Sequence, residues 1–406
     1  MTLFTSVARA PSDPVFGLNE QFAADPRPNK VNLGIGVYAD ENGKLPLLRC
    51  VQSAEEALAK HLAPRAYLPM DGLRHYDAEV QKLLFGADSE PVTSARVVTL
   101  QALGGTGALR LAADFLKKMG LASKALISDP SWANHRALFA GAGFDVARYS
   151  YSSQQAHGVD FDGMLADLGA ADTGTVVVLH ACCHNPTGYD LDDGQWDRVV
   201  EVVRQRGLIP VLDLAYQGFG RGLSQDRAAL DKFVRAGVNF LVANSFSKNF
   251  SLYGERVGAL SVVCSNAEEA ARVLSQLKIT VRTNYSNPPT HGAAVVTHIL
   301  RDPELHAFWE QELTEMRERI RTMRQQLVDG LAAAGVKQDM RFMLEQLGMF
   351  SYSGLSKEQM QQLRSAHGVY GLDSGRLCVA ALNAHNIAYV CDAIAQVLST
   401  QQPASP

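Results

Sequence analysis

Through its central half, the chain alternates short apolar runs with stretches whose apolar residues recur at helical spacing. Arg96-Val-Val-Thr-Leu100, Ala125-Leu-Ile-Ser-Asp129, Gly174-Thr-Val-Val-Val-Leu-His180, Leu208-Ile-Pro-Val-Leu-Asp213 and Asn239 to Ala243 are predicted strands. Between them, helices are predicted from Ala108 to Met119, Asn134 to Ala140, Trp196 to Arg206 and Arg227 to Ala236. Such alternation predicts an α/β fold with a mostly parallel sheet covered on both faces. Polar residues close these runs in turn: Asp129, His180, Asp213 and Ser245. In a parallel sheet those ends share one edge, so distant segments are expected to meet in one crevice.

The flanks have a different rhythm. Val31-Asn-Leu-Gly-Ile-Gly-Val-Tyr38 alternates like a strand, although Gly34 and Gly36 weaken it and suggest a close approach to the backbone. Ser53-Ala-Glu-Glu56 matches a capping box, with Ala54, Ala57, Leu58 and Leu62 as the stripe of a short helix. Tyr67-Leu-Pro-Met-Asp-Gly72 reads as a turn before an amphipathic helix that Gly86 ends. Gly258 to Val263 is a further strand of unreadable direction, a helix runs from Ala267 to about Leu277, and Pro288-Pro289 cannot continue a helix. A long helical pattern from Pro303 to Ala334 has the length of a spine joining two domains. Met349 to Tyr352, a capping box at Ser356-Lys-Glu-Gln359, Val369-Tyr370, Arg376 to Val379 and a helix from Ile387 to Leu398 complete a smaller α+β unit. The expected division is a large domain of residues 46–315 and a small domain of residues 1–45 and 316–406.

With 406 residues, 47% of them hydrophobic, the chain can bury a large core. A net charge of -4 without a clustered Lys/Arg run offers no basic field for nucleic acid or a membrane surface. Six cysteines, the adjacent Cys182-Cys183 poorly placed for a mutual bridge, suit reduced thiols, and neither a leader pattern nor a long apolar span is evident, so a cytoplasmic small-molecule enzyme is expected. The Gln401 to Pro406 tail is expected to fray.

Chemistry concentrates in Asn244-Ser-Phe-Ser-Lys-Asn-Phe-Ser-Leu-Tyr-Gly-Glu-Arg256. Lys248 falls just past a strand end, beside the hydroxyls of Ser245 and Ser247 and close to Arg256, whose fork suits a phosphate. Gly104-Gly-Thr-Gly-Ala-Leu109 joins a strand to a helix, so the N–H groups of Gly105 and Thr106 form a second anion cradle. A lysine ringed by phosphate donors suggests a phosphorylated aldehyde held as a Schiff base.

These segments occur in order with Asp129-Pro-Ser-Trp132, His184-Asn-Pro-Thr-Gly188, Asp213-Leu-Ala-Tyr-Gln-Gly-Phe219, Asn284-Tyr-Ser-Asn-Pro-Pro289 and Ser374-Gly-Arg376. The set resembles the class I aminotransferases, in their aspartate and aromatic-amino-acid branch, over about residues 12 to 398. The resemblance implies a fold type I transferase with pyridoxal 5'-phosphate, working by ping-pong transfer between amino acids and 2-oxo acids. Lys248 would bind the cofactor and shuttle the proton, while Asp213, supported by His135 and His180, would pair with the pyridinium nitrogen. Tyr216 and Asn185 would bond the phenolic oxygen, and Trp132 would stack on the ring. Gly105, Thr106, Ser245 and Arg256 would hold the phosphate, joined by Tyr67 from the second subunit of a homodimer. Arg376 would take the substrate α-carboxylate, Gly36 would close over the substrate, and Arg282 would reach from the partner to a distal carboxylate. Asp129-Pro130 and Asn185-Pro186 are candidates for cis bonds, and no metal ligand set is expected.

Substrate preference divides the residues. Ala39, Leu45 and Ala66 favour an uncharged ring, whereas Val37, Thr106 and Asn287 look like the aspartate type. The expected activity is transfer from phenylalanine or tyrosine, and also aspartate, to 2-oxoglutarate; an aspartate aminotransferase is the alternative. A dinucleotide oxidoreductase is the rival class, from Gly105-x-Gly107 with Asp129 downstream, but Arg110 stands where the third glycine belongs.

Overall fold

A computed structural model describes residues 2–11, 13–62, 64–152 and 157–399; the Gln401 to Pro406 tail lies outside the described residues. Eleven strands occur among them: β1 (Val31–Asn32), β2 (Val97–Leu103), β3 (Lys124–Asp129), β4 (Asp145–Ser150), β5 (Val176–His180), β6 (Ile209–Leu214), β7 (Phe240–Ser245), β8 (Val257–Val263), β9 (Phe350–Tyr352), β10 (Val369–Tyr370) and β11 (Arg376–Cys378). Seven of them build one sheet in the order β2-β8-β7-β6-β5-β3-β4. Within it β4, β3, β5, β6 and β7 run parallel, and β8 is antiparallel to both β7 and β2. The α/β expectation is met, and the direction of β8 is fixed.

Burial explains the central strands. Every residue of β5, β7 and β8 is buried, as in a sheet covered by helices on both faces. Two apolar clusters result. One packs the Gly104–Lys118 helix against Leu100, Val178, Val211 and Leu241, and the other gathers Leu179, Leu212, Phe240 and Val242 with Trp309 and Leu313 of the Pro303–Ala333 helix. That long helix continues beyond the sheet to pack on the Ile387–Ser399 helix, in the region of the two short sheets β1-β10 and β9-β11.

Several local expectations change. Only Val31–Asn32 of the 31–38 run pairs, in parallel with Val369–Tyr370. The Ser53 capping box is not used, because the helix starts four residues earlier, at Arg49. Its first N–H groups are taken by Glu312, which accepts from Arg49 and Cys50 at 2.9 Å each. The Ser356 box is used as read, together with Gln359. Strand β4 and the helices Phe161–Ala170 and His291–Arg301 are additions to the expected elements.

Candidate active site

The carboxyl ends of β5, β6 and β7, the start of the Gly104–Lys118 helix and the loop after β7 enclose a cavity of about 630 Å³. Its walls include Gly36, Gly105, Thr106, Trp132, Asn185, Asp213, Tyr216, Ser245, Lys248, Arg256 and Arg376. Eleven of the thirteen residues singled out from sequence therefore meet in one place. Tyr67 and Arg282 do not: Tyr67 is 93% exposed, and Arg282 is exposed on the last turn of the Ala267–Asn284 helix, where it donates to Ser286.

Asp213 is buried one residue before the end of β6, so its carboxylate has little water and depends on protein donors. Burial pushes its pKa up, but the bond to His135 at 2.8 Å and the neighbouring charges prevail and hold it below the usual carboxylate range. His135 is fixed from its other nitrogen by Ser131 at 2.9 Å and meets Trp132 edge-on at 5.3 Å. The expected support from His180 takes another form. Both of its ring nitrogens are buried without a partner, and burial lowers its pKa to about 3, so the ring is neutral.

The Lys248 amine sits 5.0 Å from the centre of the Tyr216 ring. Burial lowers its pKa to about 8 against the opposing pull of Asp213, with Arg256 and Arg376 adding to the depression. Asn185 donates to the Tyr216 hydroxyl at 3.5 Å and accepts from Arg376 at 3.0 Å. Arg376 is buried over the Phe350 ring at 4.0 Å, donates also to the Gly34 carbonyl, and keeps Nε without a partner. A buried guanidinium lacking a carboxylate is costly unless a ligand supplies one.

On the same cavity, Arg256 adopts φ +55° and donates to the Tyr253 carbonyl at 3.0 Å and to Ser247 at 3.4 Å. Gly104 carries φ +67°, and a Cβ there would lie 2.6 Å from the Arg256 guanidinium. The helix start can thus come close to the arginine, leaving N–H groups, a guanidinium and two serines around one small space.

Asp129 corrects the expected row of strand ends. It points outward to Arg148 at 3.2 Å and does not line the cavity, which also removes the acid required by a dinucleotide site. Both Asp129-Pro130 and Asn185-Pro186 are cis. Among the positions weighed for substrate choice, Val37 and Thr106 line the cavity, whereas Ala39, Leu45, Ala66 and Asn287 do not. Sequence reasoning misses Val15, Phe16, Tyr253 and Phe350 on its walls, since single apolar or aromatic residues carry no chemical signal.

A buried carboxylate, a lysine of lowered pKa and a phosphate-sized nest on a largely parallel sheet define an α/β enzyme built around a lysine-bound phosphorylated cofactor. Residues 28–394 match the family described as aminotransferase class I and II. The chain is 56% identical to an aspartate aminotransferase of Pseudomonas aeruginosa and 50% identical to an aromatic-amino-acid aminotransferase of Escherichia coli, in each case over 98% of this chain and all of the relative. Among solved structures, an aromatic-amino-acid aminotransferase from Burkholderia pseudomallei, covalently bound to pyridoxal phosphate, matches with a TM-score of 0.96 and 59% identity over 98% of this chain and all of the other. The chain belongs to the class I and II aminotransferases.

Proposed function

We propose that this aminotransferase moves the amino group of phenylalanine or tyrosine, and also of aspartate, to 2-oxoglutarate, with pyridoxal 5'-phosphate as cofactor. One observation carries the reading: a single cavity holds Lys248, the Asp213–His135 pair, the Arg256 nest and the buried Arg376 with its unpartnered Nε. The cofactor fits these residues, because each of its polar ends has a matching group and Gly104 leaves the phosphate corner open.

When bound, the cofactor supplies an electron sink for the substrate's α-carbon. Asp213 would keep the pyridine nitrogen protonated, and His135 would hold that carboxylate in place. Gly105, Thr106, Ser245 and Arg256 would grip the phosphate, Trp132 would cover the ring, and Tyr216 and Asn185 would reach its hydroxyl. Lys248 would carry the proton between the substrate α-carbon and the cofactor, a task suited to an amine already lowered to about pKa 8. Arg376 would take the substrate α-carboxylate and exchange its Asn185 and Gly34 contacts for a charged partner.

Aromatic use is favoured by the apolar wall of Val15, Phe16, Ile35, Leu109 and Phe350. The aspartate reading is favoured by the identity to the Pseudomonas aeruginosa relative and by Arg282, if a partner subunit brings it in. A homodimer of two-domain subunits, divided at residues 46 and 315, accounts for Tyr67 and Arg282 lying outside their own cavity. All six cysteines are buried and unpaired, which suits a reducing cytoplasm, and no described helix is long and apolar enough to cross a membrane. The test compares kcat/KM for phenylalanine, tyrosine and aspartate with 2-oxoglutarate as acceptor. Aromatic values within about tenfold of aspartate support the proposal, and values more than about 200-fold lower support the aspartate reading.

A further inference from the structure

Arg256 owes its position to its neighbours, and those neighbours meet the start of the His291–Arg301 helix. Gly292 has no room for a side chain: a Cβ would lie 2.3 Å from Val257 Cγ2 and 2.9 Å from Glu255 Cβ. The helix start is therefore pressed against the residues on both sides of Arg256, which itself holds a left-handed backbone. Beside Gly292, His291 spans two carboxylates. Its Nδ1 is 2.9 Å from Glu255 Oε2, in the loop, and its Nε2 is 3.0 Å from Glu55 Oε2, on the Arg49–Ala59 helix.

Glu55 and Glu255 can both accept a hydrogen bond from this one ring only if both its nitrogens carry protons. A cation at a helix N-terminus is opposed by the macrodipole, so the two acids are what hold it there. They also push the His291 pKa above the usual imidazole value, the Glu255 bond first and Glu55 next, against partial burial. Arg256 itself lies between the two residues that Gly292 meets, and at the far end of the helix a pocket is lined by Arg74 and His75 of the Arg74–Phe85 helix with His298, Arg301 and Asp302.

We infer that His291, as an imidazolium clamped between Glu55 and Glu255, is a positioning residue for Arg256 and makes the grip on the cofactor phosphate depend on pH. The inference rests on pyridoxal phosphate occupying the cavity as proposed above. Loss of the His291 proton leaves one acid without a donor from this ring and two carboxylates facing each other across a neutral imidazole. Glu255 is then released from the Arg49–Ala59 helix, and the backbone beside Arg256 loosens. Because the folded pKa is raised, the clamp is complete at low pH and is lost as pH rises through that raised value.

The test measures retention of pyridoxal phosphate by the holoenzyme during dialysis, for the parent protein, His291→Gln and Glu55→Gln, from mildly acidic to alkaline pH. Comparison at each pH cancels titrations shared by all three, including that of Lys248. At pH below the His291 pKa, His291→Gln is expected to lose cofactor about three- to tenfold more readily than the parent, and the two should converge in alkali. Glu55→Gln, a change at a half-exposed helix position, keeps the fold testable should His291→Gln prove unstable. It is expected to move the point of convergence to lower pH. Equal retention at acidic pH, or a ratio that does not change with pH, overturns the role of His291. Failure of the parent to bind the cofactor overturns the cofactor reading and this inference with it.

Discussion

At the scale of single residues, two demands on Lys248 point the same way. Its amine must be neutral to attack an aldehyde, and a buried ammonium is poorly solvated. Burial resolves both by lowering its pKa to about 8 from an ordinary value of 10.5. The folded apoprotein thus gives up the proton before the unfolded chain does, and its stability gains as pH rises between those two values. Uptake of pyridoxal phosphate by the apoprotein is expected to accelerate with pH around a midpoint near 8. A stopped-flow uptake rate that is flat across that range would count against the amine as the attacking group. Lys248→Ala is expected to lower amino transfer by at least about 10³-fold. Because the substitution removes a buried charge, the melting temperature of the apoprotein at neutral pH should not fall. Residual activity within tenfold of the parent would remove Lys248 from the proton-transfer role.

Elements decide where those residues stand, and at this scale the sequence is unevenly informative. The largely buried strands β5, β6 and β7 are legible because a covered strand is an apolar run until polar residues appear at or near its end, as His180, Asp213 and Asn244-Ser245 do here. Strand β4 is not, because it lies at the sheet edge and exposes Asp145, Ala147 and Arg148. Asp129 looks like its counterparts, yet its side chain leaves the cavity for Arg148, a choice of face that a strand-end residue does not reveal. The Arg49–Ala59 helix start is illegible for another reason: its capping acceptor, Glu312, is more than 250 positions away. Gly36 shows what an element boundary can hide. In sequence it reads as a place where the backbone closes over the substrate, and the structure adds that a Cβ there would lie 2.7 Å from Phe350 Cζ. Phe350 in turn lies under the Arg376 guanidinium. Gly36→Ala is expected to displace that ring, cost about 1–3 kcal/mol of stability and raise KM for amino acids more than it lowers kcat. An unchanged KM would mean that the ring shifts without moving Arg376.

For the whole molecule, the sheet and its two apolar clusters bring eleven of the thirteen chosen residues into one cavity and leave Tyr67 and Arg282 on the outside. Exposed apolar side chains accompany them, including Leu3, Phe4, Val7, Leu45, Leu47, Leu62 and Ile279, more than an isolated subunit has reason to leave in water. The proposed homodimer gives both observations one cause, and the arrangement can be tested by complementation. Arg282→Ala alone is expected to reduce kcat/KM for aspartate by about 30-fold or more, through loss of a charge-assisted pair to the distal carboxylate. Lys248→Ala alone is expected to be inactive. If Arg282 serves the partner's cavity, a mixed dimer of the two variants contains one intact site, formed by Lys248 of one subunit and Arg282 of the other. Unfolding and refolding equal amounts together should therefore recover about a quarter of the parent activity toward aspartate, since half the dimers are mixed and each has one working site. If Arg282 instead serves its own subunit, every site in the mixture carries one of the two lesions. Activity then stays at the average of the two separate variants, and the shared-site dimer is excluded.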